Sequence, residues 1–271
     1  MFNGSTIKSR DNSKLKFAQR VRDGKETGYI FIEGARLCDE ALRSGLSVGS
    51  CFVSEAFRSS SSFGLLESKL ISAHVECFVV SEALVESISD TKAPQGIVLI
   101  AESPTPVKLA SLFSDGGTNS LPVWIFLYEV NNPSNLGAVV RTAEAAGAQG
   151  VLVSPNSADP FSPKSLRASM GSAFRLPIVD GLVTEDVLST AKDRGINVSA
   201  VDARGVMSYA NVDWKTPRLL IFGSEAEGLP QEVLLRSDAT IKIPMHGKVE
   251  SLNLAVSSGI ILFEAKRQNK I

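Results

Sequence analysis

A chain of 271 residues with 44% hydrophobic and 21% charged residues has too much apolar material for a disordered protein and is long enough for two ordinary domains. Its net charge of −1 excludes a protein coated with cations, and no apolar run approaches the roughly 20 residues that span a bilayer. Charges occupy the amino terminus, where a signal peptide would need an apolar stretch, so the sequence predicts a cytoplasmic protein without a membrane partner.

The first 30 residues concentrate positive charge, with seven Lys or Arg residues against three acids. Such an excess attracts phosphate, although a solvated helix face explains it equally well. The three cysteines, Cys38, Cys51 and Cys77, lack CxxC spacing. They are expected to be reduced core thiols, and no metal site is predicted.

The first hundred residues alternate strand and helix patterns. Strands are expected at YIFIEGA, SVGSCFVS, VECFVVS and QGIVLIA, and helices at the basic stretch up to Lys25, at RLCDEALRSG and near FGLLESKLISA. Strands separated by helices of this length predict a small α/β domain over residues 1–101. Residues 102–120 mix Pro, Gly, Ser and Asn around one short apolar piece, which is the composition of a linker.

The remaining residues, 121–271, begin with PVWIFLYEV, an apolar run typical of a buried parallel strand. Helical segments then alternate with the strands FRLPIV, NVSAVDA and RLLIFG. This order is the signature of a parallel α/β sheet. Ligands of such sheets bind beyond the carboxyl ends of the strands, so the loops at those ends are candidate sites.

The first candidate loop is NNPSNLGAVVRTAEAAG. Asn135 is predicted to cap a helix that ends near Gly147. Arg141 would share a helix face with Gly137, which leaves room for a ligand or another chain to approach the guanidinium. An ordinary surface ion pair between Arg141 and Glu144 is the competing interpretation.

The second candidate loop, LLIFGSEAEGLP, places a carboxylate between two glycines, Gly223 and Gly228. Its backbone amides could face a ligand, or the loop could be only a capped connection with Glu225 near a helix start. The chain has no GxGxxG fingerprint, which argues against a Rossmann oxidoreductase.

The third candidate loop, IPMHGKVESLNLAVSSG, offers the Ser251 hydroxyl and the Asn253 amide just before a helix rich in small residues. Small residues allow close approach of another helix, either across an interface or within the fold. His246 is interpreted as a solvated loop residue rather than a base.

Together these loops resemble the three motifs of the SpoU (TrmH) branch of the SPOUT methyltransferases, at NPSNLGAVVRTA (132–143), FGSEAEGLP (222–230) and IPMHGKVESLNLAVSSGI (243–260). The resemblance implies S-adenosylmethionine as cofactor, methylation of a ribose 2′-hydroxyl in RNA, a deep trefoil knot in the carboxyl-terminal domain and a homodimer. FIEGARLCDEAL and DTKAPQGIVLI resemble, more loosely, a small RNA-binding domain whose fold is shared with certain ribosomal proteins.

The resemblance also implies roles for individual residues. The positions that match the family's active-site set are Asn135, Arg141, Glu225, Ser251 and Asn253. The positions expected to hold the cofactor, mainly through the backbone, are Phe222, Gly223, Glu225, Gly228, Ile243, Met245, Ser251 and Leu252.

The family's proposed base is Arg141, but a guanidinium is a reluctant proton acceptor. We therefore expect Arg141 to grip a phosphate and polarise the hydroxyl, Ser251 to orient the ribose, and Glu225 to fix Asn253 or Arg141. In the family the Arg of one subunit lies near the cofactor of the other.

Cations are expected to bind the RNA phosphates. The positions chosen are Lys14, Lys16, Arg20, Arg22, Arg167 and Arg175. The last two could equally be structural. Large-subunit rRNA is the favoured substrate, with tRNA or a non-catalytic RNA-binding or ribosome-assembly role as alternatives.

Overall fold

The structure is a computed structural model that describes residues 4–113 and 121–270. The chain divides into two compact units, one formed by Met1–Thr105 with Phe161–Arg175 and the other by Pro106–Pro160 with Leu176–Ile271. Within the described ranges, no helix is long and apolar enough to cross a membrane. The domain limits at residues 101 and 121 stay predictions.

The first unit contains a five-stranded sheet in the order β1-β4-β3-β5-β2. Strands β1, β4 and β3 are parallel, and β5 runs antiparallel to both β3 and β2. Its elements before residue 105 are β1 (Ser5–Ile7), α1 (Ser13–Arg22), β2 (Tyr29–Glu33), α2 (Ala35–Arg43), β3 (Val48–Ser54), α3 (Glu55–Arg58), α4 (Ser61–Ser72), β4 (Glu76–Val80), α5 (Glu82–Ile88) and β5 (Ile97–Glu102). The predicted smaller α/β domain is confirmed.

The segment Phe161–Arg175, which lies in the second half of the sequence, packs with this first unit. Its helix α8 (Pro163–Ser169) contacts strand β2 and is followed by a 3₁₀ turn, Ser172–Phe174. Between them, Gly171 has a positive φ of 89°, and a Cβ at that position would lie 2.7 Å from the Glu40 Cβ. The segment therefore fits closely against helix α2.

A buried carboxylate ties the first unit together. Glu33 accepts hydrogen bonds from the Ser89 hydroxyl, from the Thr91 Oγ1 at 2.5 Å and from the Asp90 backbone N–H at 3.0 Å. One nitrogen of Arg167 lies 4.0 Å from the same carboxylate. Because Glu33 is only 6% exposed, these donors would lose their partner in a dry environment if the carboxylate were removed.

Glu33→Ala is expected to lower the free energy of unfolding by about 3 kcal/mol, since it leaves several part-buried donors and one guanidinium without their shared acceptor. Urea denaturation followed by circular dichroism measures the change. Glu86→Ala, which removes an exposed carboxylate from the same unit, is the matched control and should change stability by less than about 0.5 kcal/mol. Equal stability of the two variants would contradict this role of Glu33.

The second unit is built on a seven-stranded sheet in the order β10-β12-β9-β11-β6-β7-β8, and every adjacent pair is parallel. Its elements are α6 (Leu109–Leu112), β6 (Val123–Leu127), α7 (Pro133–Ala146), β7 (Gly150–Val153), β8 (Ile178–Val179), α9 (Thr184–Asp193), β9 (Asn197–Val201), β10 (Met207–Ser208), a 3₁₀ turn (Tyr209–Asn211), β11 (Arg218–Phe222), α10 (Gln231–Arg236), β12 (Ala239–Lys242) and α11 (Leu254–Asn269). The predicted parallel sheet is confirmed.

The short apolar piece of the predicted linker forms helix α6. Leu112 and Phe113 are buried in the core of the second unit, and the Trp124 Nε1 donates to the Leu112 carbonyl at 2.8 Å. Burial of these side chains outweighs the Pro- and Gly-rich composition around them. The rest of the predicted linker, residues 114–120, lies outside the described residues.

Helix α7 ends as predicted at Gly147, which adopts a left-handed conformation with φ of 91°. Its start differs from the prediction: Asn132 is the N-cap, and its side chain accepts from the backbone N–H groups of Ser134 and Asn135. Pro133 occupies the first turn, where its missing N–H has no cost. Asn135 therefore lies inside the helix, and its side chain is free for other contacts.

Strands β6 and β11 are adjacent, parallel and fully buried. Because all strands of the second unit run in one direction, the loops that follow β6, β11 and β12 leave the sheet at the same edge. These are the three candidate loops of the sequence analysis.

Candidate active site

One chain of side-chain hydrogen bonds joins the three loops. Asn253 donates through Nδ2 to the Asn135 Oδ1 at 3.0 Å, and Asn135 donates through its own Nδ2 to the Glu225 Oε1 at 2.7 Å. These residues are 118 and 90 positions apart in sequence. The fold thus brings one polar residue of each motif to a single place.

The direction of this chain is set by the start of helix α11. Asn253 caps that helix, and its Oδ1 accepts from the backbone N–H groups of Ala255 at 2.9 Å and Val256 at 3.4 Å. Its amide nitrogen must then point away from the helix, toward Asn135. Asn253 donates to Asn135, and Asn135 donates to Glu225. The series of hydrogen bonds ends at Glu225, because an ionised carboxylate has no proton to donate.

Glu225 is expected from the sequence to fix Asn253 or Arg141, but its direct hydrogen-bond partner is Asn135, which in turn contacts Asn253. The difference has a physical reason. Asn132 takes over the cap of α7, which releases the Asn135 side chain to contact the loop after β11. The hydrogen bond from Asn135 holds the Oε1 atom of the exposed Glu225 carboxylate.

Arg141 lies on helix α7 with an exposed side chain. Within the part of the chain that the structure describes, no ion pair or hydrogen bond holds its guanidinium. A planar cation with five unused donors can grip a phosphate or carboxylate in a bidentate manner. The position is therefore suited to an anionic ligand.

The loop after β11 closes tightly on itself. Ser224 and Gly228 form a bridge, and a Cβ on Gly223 would lie 2.2 Å from the Gly228 backbone carbon. Gly228 has a positive φ of 71°. Gly223 is therefore required by the close approach of two backbone segments and Gly228 by its left-handed conformation, and Glu225 lies at the exposed tip between them.

The loop after β12, residues 243–252, contains neither helix nor strand. Its backbone N–H and C=O groups are thus not committed to a sheet or helix ladder, as a hydrogen-bonding ligand such as adenine requires. Ile243 and Met245 are half-buried, while Ser251 and Leu252 are exposed. Together with the end of β11 at the buried Phe222, these residues fit a cofactor that is held mainly by backbone groups.

Helix α11 packs against α7, and small residues make this close contact possible. A Cβ on Gly259 would lie 3.6 Å from the Thr142 Cγ2, and the Lys266 Nζ donates to the Ala145 carbonyl at 3.1 Å. Val256 and Phe263, one helical turn before and after Gly259, are 50% and 49% exposed. Packing against α7 thus explains part of the small-residue pattern of α11. The half-exposed Val256 and Phe263 form an outer face of this helix that is not covered in a single chain.

Two residues near the site were missed by the sequence analysis. Glu129, two residues after β6, has a positive φ of 50° and donates its backbone N–H to the Ser154 hydroxyl at 2.8 Å. Burial, with the nearby carboxylates of Glu129, Glu232 and Glu227, raises the pKa of Tyr128. Residue type alone does not signal a left-handed Glu, because the conformation depends on the neighbouring loop.

The four cations predicted to bind RNA on helix α1 are all paired with acids of their own unit. Lys14 lies 2.6 Å from Glu76 and Lys16 lies 2.8 Å from Asp11, while Arg20 pairs with Glu26 and Arg22 with Asp23. Arg22 also donates to the backbone carbonyls of Ser87 and Ser89. The positive charge of this helix is thus largely neutralised within the chain.

The two predicted RNA contacts in the segment Phe161–Arg175 are paired as well. Arg167 donates to Asp90 at 2.6 Å, and Arg175 donates to Glu40 at 2.6 Å. These bonds favour the structural alternative that the sequence analysis left open. Their part in RNA binding stays a prediction.

Three polar loops meet at the carboxyl edge of a parallel sheet, and one of them is bounded by glycines. This arrangement is typical of α/β enzymes, which bind their ligands beyond the ends of the strands. Residues 122–263 match the model of the SpoU rRNA Methylase family, and residues 12–99 match that of the MRM3-like substrate binding domain. The first match spans more than half of the chain, and the chain belongs to the SpoU rRNA Methylase family.

Curated relatives and solved structures agree with this assignment. The chain is 28% identical to the 23S rRNA (guanosine(2553)-2'-O)-methyltransferase RlmP of Bacillus subtilis, over 96% of the chain and 98% of the relative. It is 31% identical to the AdoMet-bound rRNA methyltransferase of Sinorhizobium meliloti, with a TM-score of 0.84 and 97% of each chain covered. The SpoU methyltransferase AviRb of Streptomyces viridochromogenes, in complex with AdoMet, has a TM-score of 0.84 at 27% identity, covering 96% of this chain and 98% of its own.

The resemblance stated from the three motifs is thereby confirmed. The chain is an RNA 2′-O-ribose methyltransferase that depends on S-adenosylmethionine, as members of its family are. The free backbone of residues 243–252 and the glycine-bounded loop after β11 fit this cofactor.

Proposed function

We propose that this protein transfers a methyl group to a ribose 2′-hydroxyl of large-subunit rRNA. The observation that carries the proposal is the hydrogen-bond chain Asn253–Asn135–Glu225, which links the three loops at the carboxyl edge of the sheet. The likeness to RlmP over nearly the whole of both chains supports 23S rRNA in particular. The alternative substrate is tRNA.

S-adenosylmethionine supplies an electrophilic methyl group on a sulfonium. The protein must hold the ribose oxygen about 3 Å from that carbon and in line with the bond that breaks. We assign this positioning to Arg141 and Ser251: the guanidinium grips the adjacent phosphate, and the hydroxyl orients the ribose. The backbone around Phe222, Gly223 and Ile243–Met245 would hold the cofactor.

The hydroxyl proton must leave as the new oxygen–carbon bond forms. Glu225 has one carboxylate oxygen anchored by Asn135, which leaves the second oxygen available as an acceptor. A carboxylate suffices for this task in other transfers to a hydroxyl, such as those of protein kinases, because the oxygen becomes acidic only as the bond forms. We therefore propose Glu225 as the proton acceptor, in place of the expectation that it only fixes a neighbour.

We further propose that the enzyme works as a homodimer. The apolar outer face of α11, with Val256 and Phe263 half-exposed, would be covered by a second copy, and the unpaired Arg141 would act near the partner's cofactor. The trefoil knot of the carboxyl-terminal loops, like the dimer, stays a prediction from the family. Action on ribosomal RNA agrees with the expected cytoplasmic location.

The proposal is tested in two reactions. Each contains the purified protein and labelled S-adenosylmethionine; one contains an unmodified 23S rRNA transcript and the other contains unmodified tRNA transcripts. A 2′-O-methyl group makes the adjoining linkage resistant to alkali, so hydrolysis and mapping locate it. We expect label at one alkali-resistant linkage of 23S rRNA, and none with an Asn135→Ala variant. Label only in tRNA would support the alternative substrate. RNA binding without transfer would support a non-catalytic assembly factor.

A further inference from the structure

Some cations of the first unit differ from those of helix α1, because no acid of the described chain pairs with them. Besides Lys8 and Arg10 near the amino terminus, there are three: Arg36 at the start of α2, Lys92 in the loop before β5 and Lys164 at the start of α8. All three side chains are exposed. Their charge is therefore available to a partner, whereas that of α1 is already used within the chain.

Hydrogen bonds hold together the segments that carry these three cations: the start of α2, the loop before β5 and helix α8. The Ala35 backbone N–H donates to the Gln95 Oε1 at 2.9 Å, which holds the start of α2 against the loop that carries Lys92. Glu33 holds the same loop through the Asp90 backbone N–H.

The third segment joins them through one ion pair. Arg167 of α8 donates to the Asp90 carboxylate at 2.6 Å. Lys164 lies three residues before Arg167, which is about one helical turn. Arg36, Lys92 and Lys164 are thus carried by elements that meet around Glu33 and Asp90.

The acids at this meeting point do not cancel the exposed charge. Glu33 is 6% exposed and is saturated by donors, and Asp90 is engaged by Arg167. The elements that meet here thus carry three unpaired cations, while both carboxylates are already engaged. The outward charge is therefore positive.

The position of Arg36 is not explained by helix stability. It stands in the first turn of α2, where the helix dipole disfavours a cation, and that turn contains no acid. The Arg36 guanidinium is thus placed where it serves an external anion better than it serves the helix.

We propose that Arg36, Lys92 and Lys164 form the surface through which the first unit binds the phosphate backbone of RNA. This inference rests on the proposed function for its RNA substrate, and it moves the contact away from the basic helix α1. Exposed, unpaired cations displace counterions that are condensed on the RNA phosphates, so each contact adds to the affinity and to its salt dependence.

The test measures binding of the full-length protein to a fluorescently labelled, unmodified 23S rRNA transcript over a range of KCl concentrations. The triple variant Arg36→Gln, Lys92→Gln, Lys164→Gln is compared with Lys14→Gln, Lys16→Gln, Arg20→Gln, which removes the same charge from α1. We expect the first variant to bind about 30- to 100-fold more weakly at 0.1 M salt, with its salt slope reduced by about 2. The second should stay within about threefold of the unchanged protein.

Equal losses in the two triple variants, or a larger loss in the α1 variant, would overturn the inference. Circular dichroism checks that both variants fold. If the triple variant does not, Lys92→Gln alone, on an exposed loop, should still reduce the slope by about 0.7. Binding is read without methylation: a protein that binds through these residues but transfers no methyl group would refute the proposed function and leave this inference intact.

Discussion

Arg141→Lys is expected to lower kcat by about 100-fold while the Kd for S-adenosylmethionine changes by less than about twofold. The exposed guanidinium has no partner in the described chain, so its donors are available to a phosphate. Lysine keeps the charge but loses the planar pair of donors that grips two oxygens at once. Calorimetry with the cofactor and single-turnover methyl transfer to 23S rRNA separate the two effects.

Arg194→Lys is the matched control, because Arg194 is an exposed arginine of the same unit that no proposed step uses. It should leave both kcat and cofactor affinity unchanged. Near-normal turnover of Arg141→Lys would refute bidentate binding by Arg141. A large loss of cofactor affinity would instead place the guanidinium on the cofactor.

Asn253→Asp is expected to lower kcat by about 100-fold with little loss of stability. An aspartate oxygen can still accept from the Ala255 and Val256 backbone N–H groups, so helix α11 keeps its cap. The carboxylate cannot donate to the Asn135 Oδ1, and it places a negative charge against that oxygen. Asn135 would then turn, and its contact with Glu225 would be lost.

Comparison with Asn253→Ala separates the cap from the hydrogen-bond chain. The alanine variant loses both, and its free energy of unfolding should fall by about 1 kcal/mol in urea denaturation. Both variants should be slow in single-turnover transfer. An Asn253→Asp variant with normal turnover would show that the chain to Glu225 does not contribute to the reaction.

Local sequence patterns determined much of this fold. The apolar run at Val123–Leu127 predicted a buried strand and Gly147 predicted the end of helix α7, because burial and a left-handed helix stop depend on few neighbours. The three motifs also identified the family. Where two polar residues competed locally, the pattern was less decisive: Asn132 and Asn135 can both cap a helix, and only the path of the loop selected Asn132.

Contacts between distant residues were decided by the tertiary structure alone. The sequence placed Asn135, Glu225 and Asn253 at one sheet edge, but the order of their hydrogen bonds depends on how α11 meets α7. The same holds for charge. The sequence shows which residues are cationic, whereas whether Lys14 is free or paired depends on Glu76, 62 positions away, because an ion pair requires proximity in space rather than in sequence.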